Sequence, residues 1–106
     1  MHANRFPDEC FVSVLTPAGR SAVATISVVG SRAAMRVSEL FRPAAGTPLQ
    51  QFPDGRIVFG RWAIGGRDGE DLVVCCRGPD TVDVHCHGGR TAARRIVDSL
   101  VAAGCR

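Results

Sequence analysis

The chain has 106 residues, of which 45% are hydrophobic and 22% charged, and its 13 basic and 10 acidic side chains leave a formal net charge of +3. This describes one ordinary domain that can bury its own core, which excludes a disordered tail, a collagen-like repeat and a disulfide-bound miniprotein. No apolar run approaches the roughly 20 residues needed to cross a bilayer. Met1–Glu9 carries Arg5, Pro7, Asp8 and Glu9 rather than an apolar signal core, so a cytoplasmic protein without membrane contact is expected.

Residues 1–9 read as a flexible lead-in, and residues 10–106 as the domain. Phe11–Leu15 is a short apolar run of strand formers. Thr16-Pro17-Ala18-Gly19-Arg20-Ser21 breaks it, because proline and glycine punctuate strands. Val23–Val29 is a second strand, with Ala24, Ile26 and Val28 on one face. Ser31 then offers a helix cap. From Arg32 to Phe41 the apolar residues Ala33, Ala34, Val37, Leu40 and Phe41 recur at helical spacing. Arg42–Gly55, with three prolines and two glycines, reads as a loop.

Arg56–Ile64 is a third strand, Gly65–Gly69 a turn and Asp71–Arg77 a fourth strand. Gly78-Pro79-Asp80 is a tight turn into a fifth strand, Thr81–His87, of strict alternation. A last helix runs from Arg90 to Ala103, with Ala93, Ile96, Val97, Leu100 and Val101 as its buried stripe and Gly104 as its stop. The order β-β-α-β-β-β-α predicts an α+β domain in which two helices cover one face of a mixed sheet.

All 13 basic residues are arginines, scattered from Arg5 to Arg106 with one cluster at Arg90, Arg94 and Arg95. That is not the stripe of a nucleic-acid binder, and the aromatic residues available for base stacking are few. The arginine excess reads as genomic base composition or as phosphate binding through paired hydrogen bonds. The five cysteines (Cys10, Cys75, Cys76, Cys86 and Cys105) are odd in number and contain no C-x-x-C. They are therefore expected to be free, acting as small hydrophobes in a reducing compartment.

Two segments could carry chemistry. In the first, Gly19 lets a ligand approach the backbone and Arg20 can hold a carboxylate or phosphate. In the second, Asp83-Val84-His85-Cys86-His87-Gly88-Gly89, alternation puts Asp83, His85 and His87 on the face opposite Val82, Val84 and Cys86. That polar row could be structural, could touch a ligand or partner, could move protons, or could hold a metal. The H-x-H pattern is common by chance, and no metal is assigned. Gly88-Gly89 opens a helix whose free N–H groups suit an anionic group. With no lysine there is no Walker A motif, and there is no G-x-S-x-G nucleophile elbow. No catalytic residue is assigned, and GTP is not expected to bind.

Together, Leu15-Thr16-Pro17-Ala18-Gly19-Arg20-Ser21 and Val82-Asp83-Val84-His85-Cys86-His87-Gly88-Gly89, with a helix ending Gly104-Cys105-Arg106, resemble the N-terminal domain of the tRNA modification GTPases TrmE (MnmE). The resemblance covers about residues 10–106. It implies a fold like the tetrahydrofolate-binding domain of glycine-cleavage aminomethyltransferases. It also implies homodimerisation and binding of 5-formyltetrahydrofolate or a related reduced folate, in service of wobble-uridine modification. Further implications are a flavoprotein partner of the MnmG (GidA) type and tRNA contact that is only indirect. The folate residues it implies are Thr16, Pro17, Gly19, Arg20, Asp83, His85, His87, Gly88 and Gly89. The chain departs from the family in three ways: Asp83 stands where the family prefers Glu, Ser27 where it has a basic residue, and Gly78-Pro79-Asp80 leads straight into Thr81 where it has a longer S-x-T-G-E-D loop. The alternative reading is therefore a diverged dimerisation or interaction domain without folate.

Overall fold

The structure is a computed structural model and describes residues 9–15, 23–64, 67–78, 80–87 and 89–106. Its elements are β1 (Phe11–Val14), β2 (Ala24–Val29), α1 (Ala33–Leu40), β3 (Phe41–Pro43), a 3-10 turn (Leu49–Gln51), β4 (Ile57–Ile64), β5 (Arg67–Gly78), β6 (Thr81–Cys86) and α2 (Gly89–Ala102). The α+β class holds, and one six-stranded sheet runs in the order β1-β2-β6-β5-β4-β3.

Every pairing in the sheet is antiparallel, which corrects the mixed sheet expected from the element order. A helix between two strands gives a parallel pair only when those strands become neighbours. Here α1 carries the chain from β2 to β3 at the far edge, and three successive antiparallel pairings bring it back. β6 therefore arrives beside β2 running the opposite way.

Three further differences are local. The stretch expected to be a loop contains β3, because the buried Phe41 leaves the helix and pairs opposite Trp62. β5 begins at Arg67, inside the expected turn, so β4 and β5 form a longer ladder. The cap position of α1 falls on Arg32, whose side chain makes no capping bond, rather than on Ser31.

The core lies between the helices and one face of the sheet. Ile26, Val28, Trp62, Val74, Val82 and Val84 meet Val37, Ile96 and Leu100 there, all fully buried. These are the alternate residues of each strand and the three- and four-step residues of each helix. On α2 the buried stripe is Ala92, Ala93, Ile96 and Leu100, whereas the expected Val101 faces outward. Trp62 fastens β4 to α2, its Nε1 donating to Ser99 Oγ at 2.8 Å while that hydroxyl donates to the Ile96 carbonyl at 2.7 Å. A buried indole N–H needs such a partner, and the arrangement satisfies it with one short side chain.

The free-cysteine expectation is also corrected: Cys10 and Cys105 form a disulfide, while Cys75, Cys76 and Cys86 are free. The two partners stand 95 residues apart in the chain, so spacing gave no sign of the pair. They meet because the end of α2 turns back onto the start of β1, where Arg106 N–H donates to the Cys10 carbonyl at 2.7 Å and Val12 N–H to the Arg106 carbonyl at 2.9 Å. Gly104, at φ +118, makes that reversal in a conformation that L side chains rarely adopt. Among the described residues, no helix is long and apolar enough to cross a membrane.

Candidate functional site

The face of the sheet opposite the helices carries the polar residues of β6. With Val82, Val84 and Cys86 turned into the core, alternation sends Asp83 and His85 to the other side. Antiparallel register lines up their neighbours. One row runs Ser27, Asp83, Cys75, Ile57, and the next runs Thr25, His85, Val73, Phe59. This face is thus polar at its centre and apolar toward β4, where Ile57 and Phe59 are 58% and 57% exposed.

The polar centre is held in place by its own contacts. Thr25 Oγ1 and His85 Nδ1 are 3.0 Å apart, in a hydrogen bond whose donor follows the imidazole tautomer. This contact fixes the ring and leaves Nε2 as the nitrogen available to a ligand. Asp83 is largely buried, and its Oδ2 accepts from Arg77 Nε at 2.7 Å. A carboxylate this enclosed requires a charge partner, which Arg77 supplies from an exposed position. His87, one residue beyond β6, is exposed.

The residues implied by the resemblance divide into two sets. Asp83, His85, His87 and Gly89 are described, and of these Asp83 and His85 lie on the one face. Thr16, Pro17, Gly19, Arg20 and Gly88 lie outside the described residues. The described strand ends that bracket the first segment do adjoin the histidine strand. Leu15 N–H donates to the Thr25 carbonyl at 2.8 Å, Thr25 pairs with His85, and Ala24 pairs with Cys86.

No group of three or more His, Cys, Asp or Glu side chains among the described residues is placed to hold a metal ion. The alternating partners on a strand stand roughly 6.6 Å apart along it, so H-x-H converges on a metal only with help from elsewhere. Two thiols on the core side of these strands, Cys76 and Cys86, are chemically quiet. Burial, then the charges of Asp54 and Cys75, pushes the Cys76 thiol up. Burial, then Glu70, raises Cys86, against a lowering contribution from the Ala24 backbone.

Arg77, Thr25, Val73 and Phe59 did not stand out in the sequence. They join the face only through cross-strand register, a property of the pairing rather than of any one segment. The Arg90, Arg94 and Arg95 cluster lies instead on exposed positions of α2, with Arg94 Nε 3.8 Å from Asp98.

No family model matches the chain. Among known proteins it is similar to the tRNA modification GTPase MnmE of Symbiobacterium thermophilum, at 31% identity over 93% of this chain and 23% of that protein. The MnmE of Oceanobacillus iheyensis is likewise 31% identical, over 92% of this chain and 23% of its own length. That of Protochlamydia amoebophila is 25% identical over 100% of this chain and 24% of its own. The chain spans about a quarter of the length of these relatives. Matches over nearly the whole chain agree with the motif resemblance and are consistent with a likeness to the N-terminal domain of MnmE (TrmE).

Proposed function

We propose that this chain is a ligand-binding and dimerisation module that takes a reduced folate of the 5-formyltetrahydrofolate type and serves tRNA wobble-uridine modification in the cytoplasm. The observation that carries this reading is the placement of His85 and Asp83, two polar residues of the family-like histidine strand, side by side on the helix-free face. A folate has flat rings with apolar faces and hydrogen-bonding edges. Val73 and Phe59 offer the first kind of contact, and His85 Nε2 with the Asp83–Arg77 pair the second. The bracketing strand ends next to His85 support a contribution from Thr16, Pro17, Gly19 and Arg20, and the start of α2 supports one from Gly88 and Gly89.

The exposed apolar residues Ile57 and Phe59 also support homodimerisation, since such side chains grouped on one face favour burial against a partner. A flavoprotein of the MnmG type would then be the functional partner, with tRNA reached through the assembly. The name of the relatives supports the tRNA role.

Calorimetric titration with 5-formyltetrahydrofolate tests the ligand. Binding is expected for the native chain and is expected to be lost in His85→Ala with the fold retained. No heat and no rise in melting temperature at millimolar folate would exclude it.

One observation favours the alternative, a diverged interaction domain without folate. Gly78 pairs with Thr81, so residues 79 and 80 alone join β5 to β6 where the family has a longer loop. That reading expects a dimer by sedimentation, no folate response, and a His85→Ala variant altered in stability alone.

A further inference from the structure

Residues 105 and 106 lie against the outer edge of β1, and what fastens them is unequal in strength. β1 is an edge strand with only β2 beside it in the sheet. Two backbone hydrogen bonds join it to Arg106, through the Cys10 carbonyl and the Val12 N–H. An ion pair between Arg106 Nη2 and Glu9 Oε1 at 3.1 Å adds little, because the arginine is 69% exposed. The Cys10–Cys105 disulfide is the one covalent link, and both of its residues are buried.

We propose that Cys10 and Cys105 act as a reversible redox latch. Oxidised, it clamps residues 105–106 over the β1 edge; reduced, it releases them and uncovers that edge. Closing the latch breaks two S–H bonds and forms one S–S bond. The two protons and two electrons pass to a small-molecule disulfide such as oxidised glutathione, which is cleaved to two thiols. One cysteine thiolate attacks the small disulfide, expelling one small thiolate and leaving a mixed disulfide; the second cysteine then attacks the protein sulfur of that bond and expels the other small thiolate.

Three features of the fold suit a latch. The pair is enclosed when closed, so a reductant reaches it through local opening of residues 104–106. That opening disturbs the Arg106 bonds, the Cys105 N–H to Leu100 carbonyl bond and the turn at Gly104, while the sheet core stays intact. The three other thiols are unpaired, and burial keeps Cys76 and Cys86 protonated and poor at attacking the bond. Finally, an unpaired strand edge is a pairing surface that proteins cover, and here the cover is tied down by a bond whose state depends on redox conditions.

The test uses the whole chain equilibrated in glutathione buffers of varied ratio, then denatured and alkylated, with amide hydrogen exchange measured in parallel. In oxidising buffer three cysteines should alkylate, and in reducing buffer all five. On reduction the Val12 and Arg106 amides should exchange at least about tenfold faster, while Val84 in the central strand should keep its protection. Five alkylated thiols at every ratio, three at every ratio, or unchanged exchange at Val12 and Arg106 would each overturn the latch. Cys105→Ser should exchange fast at those amides in both buffers, and slow exchange there would count against the proposal. If that variant fails to fold, the two redox states of the native chain still decide the matter.

Discussion

The two faces of the sheet are built from alternate residues of the same strands, yet they answer to different physics. In β6, Val82, Val84 and Cys86 are fully buried beneath the helices, and every one is apolar. Between them, Asp83 and His85 make contacts with Arg77 and Thr25 on the far side. On the covered face packing sets the energy, and any loss of volume is felt. On the open face, the one we assign to ligand binding, polar groups are held by side-chain hydrogen bonds and an ion pair, and apolar groups such as Ile57 and Phe59 remain exposed. Stability and recognition are thus separated by a one-residue step along a strand.

Substitutions on either side of that step would sharpen the contrast, beginning with the largest expected effect. Trp62→Ala removes the largest fully buried side chain together with its bond to Ser99, and should cost about 3–5 kcal/mol in urea denaturation. A loss below about 1 kcal/mol would mean that the covered face is not close-packed. Val84→Ser shrinks a buried side chain and buries a hydroxyl, for about 2–4 kcal/mol by the same measurement. Its open-face neighbour changed in the same way, His85→Ser, loses one hydrogen bond and should cost about 0.5–1.5 kcal/mol. If His85→Ser proved as damaging as Val84→Ser, the division between the faces would fail.

Arg77→Ala takes the charge partner from the enclosed Asp83 carboxylate and should cost about 1 kcal/mol, a figure held down because the arginine is well exposed, while disturbing ligand binding through Asp83. The smallest effect concerns pH. Burial raises the Cys76 and Cys86 thiols in the folded chain above the ordinary thiol value of 9.0, so folding favours their protonated form. The stability they contribute is fully present below about pH 9 and declines as pH rises from there toward the folded-state values. Chemical denaturation at several alkaline pH values should show the decline in the native chain and a shallower one in Cys86→Ala.

How far the sequence reveals this molecule depends on the range of the interaction concerned. The alternation in β6 was readable from Thr81–His87 alone, and with it the opposition of Val84 to His85, because both follow from strand geometry. The helical stripe of α2 was readable with an error at Val101, since periodicity marks a face but not where the sheet beneath it ends. The strand at Phe41–Pro43 was hidden by the prolines around it, because its pairing with β4 overrides local preference. Arg77 and Thr25 were silent for the same reason, since each gains its role from a neighbour on another strand.

By itself, then, the amino-acid order determined the α+β class, most of the elements, the two faces of the histidine strand and the likeness to MnmE. These rest on propensity, period and motif, which act over a few residues. The antiparallel pairing, the company kept by Asp83 and His85, and the meeting of Cys10 with Cys105 were decided by tertiary structure. Each joins positions far apart in the chain, and such contacts exist only once the sheet has closed and the last helix has folded back across it.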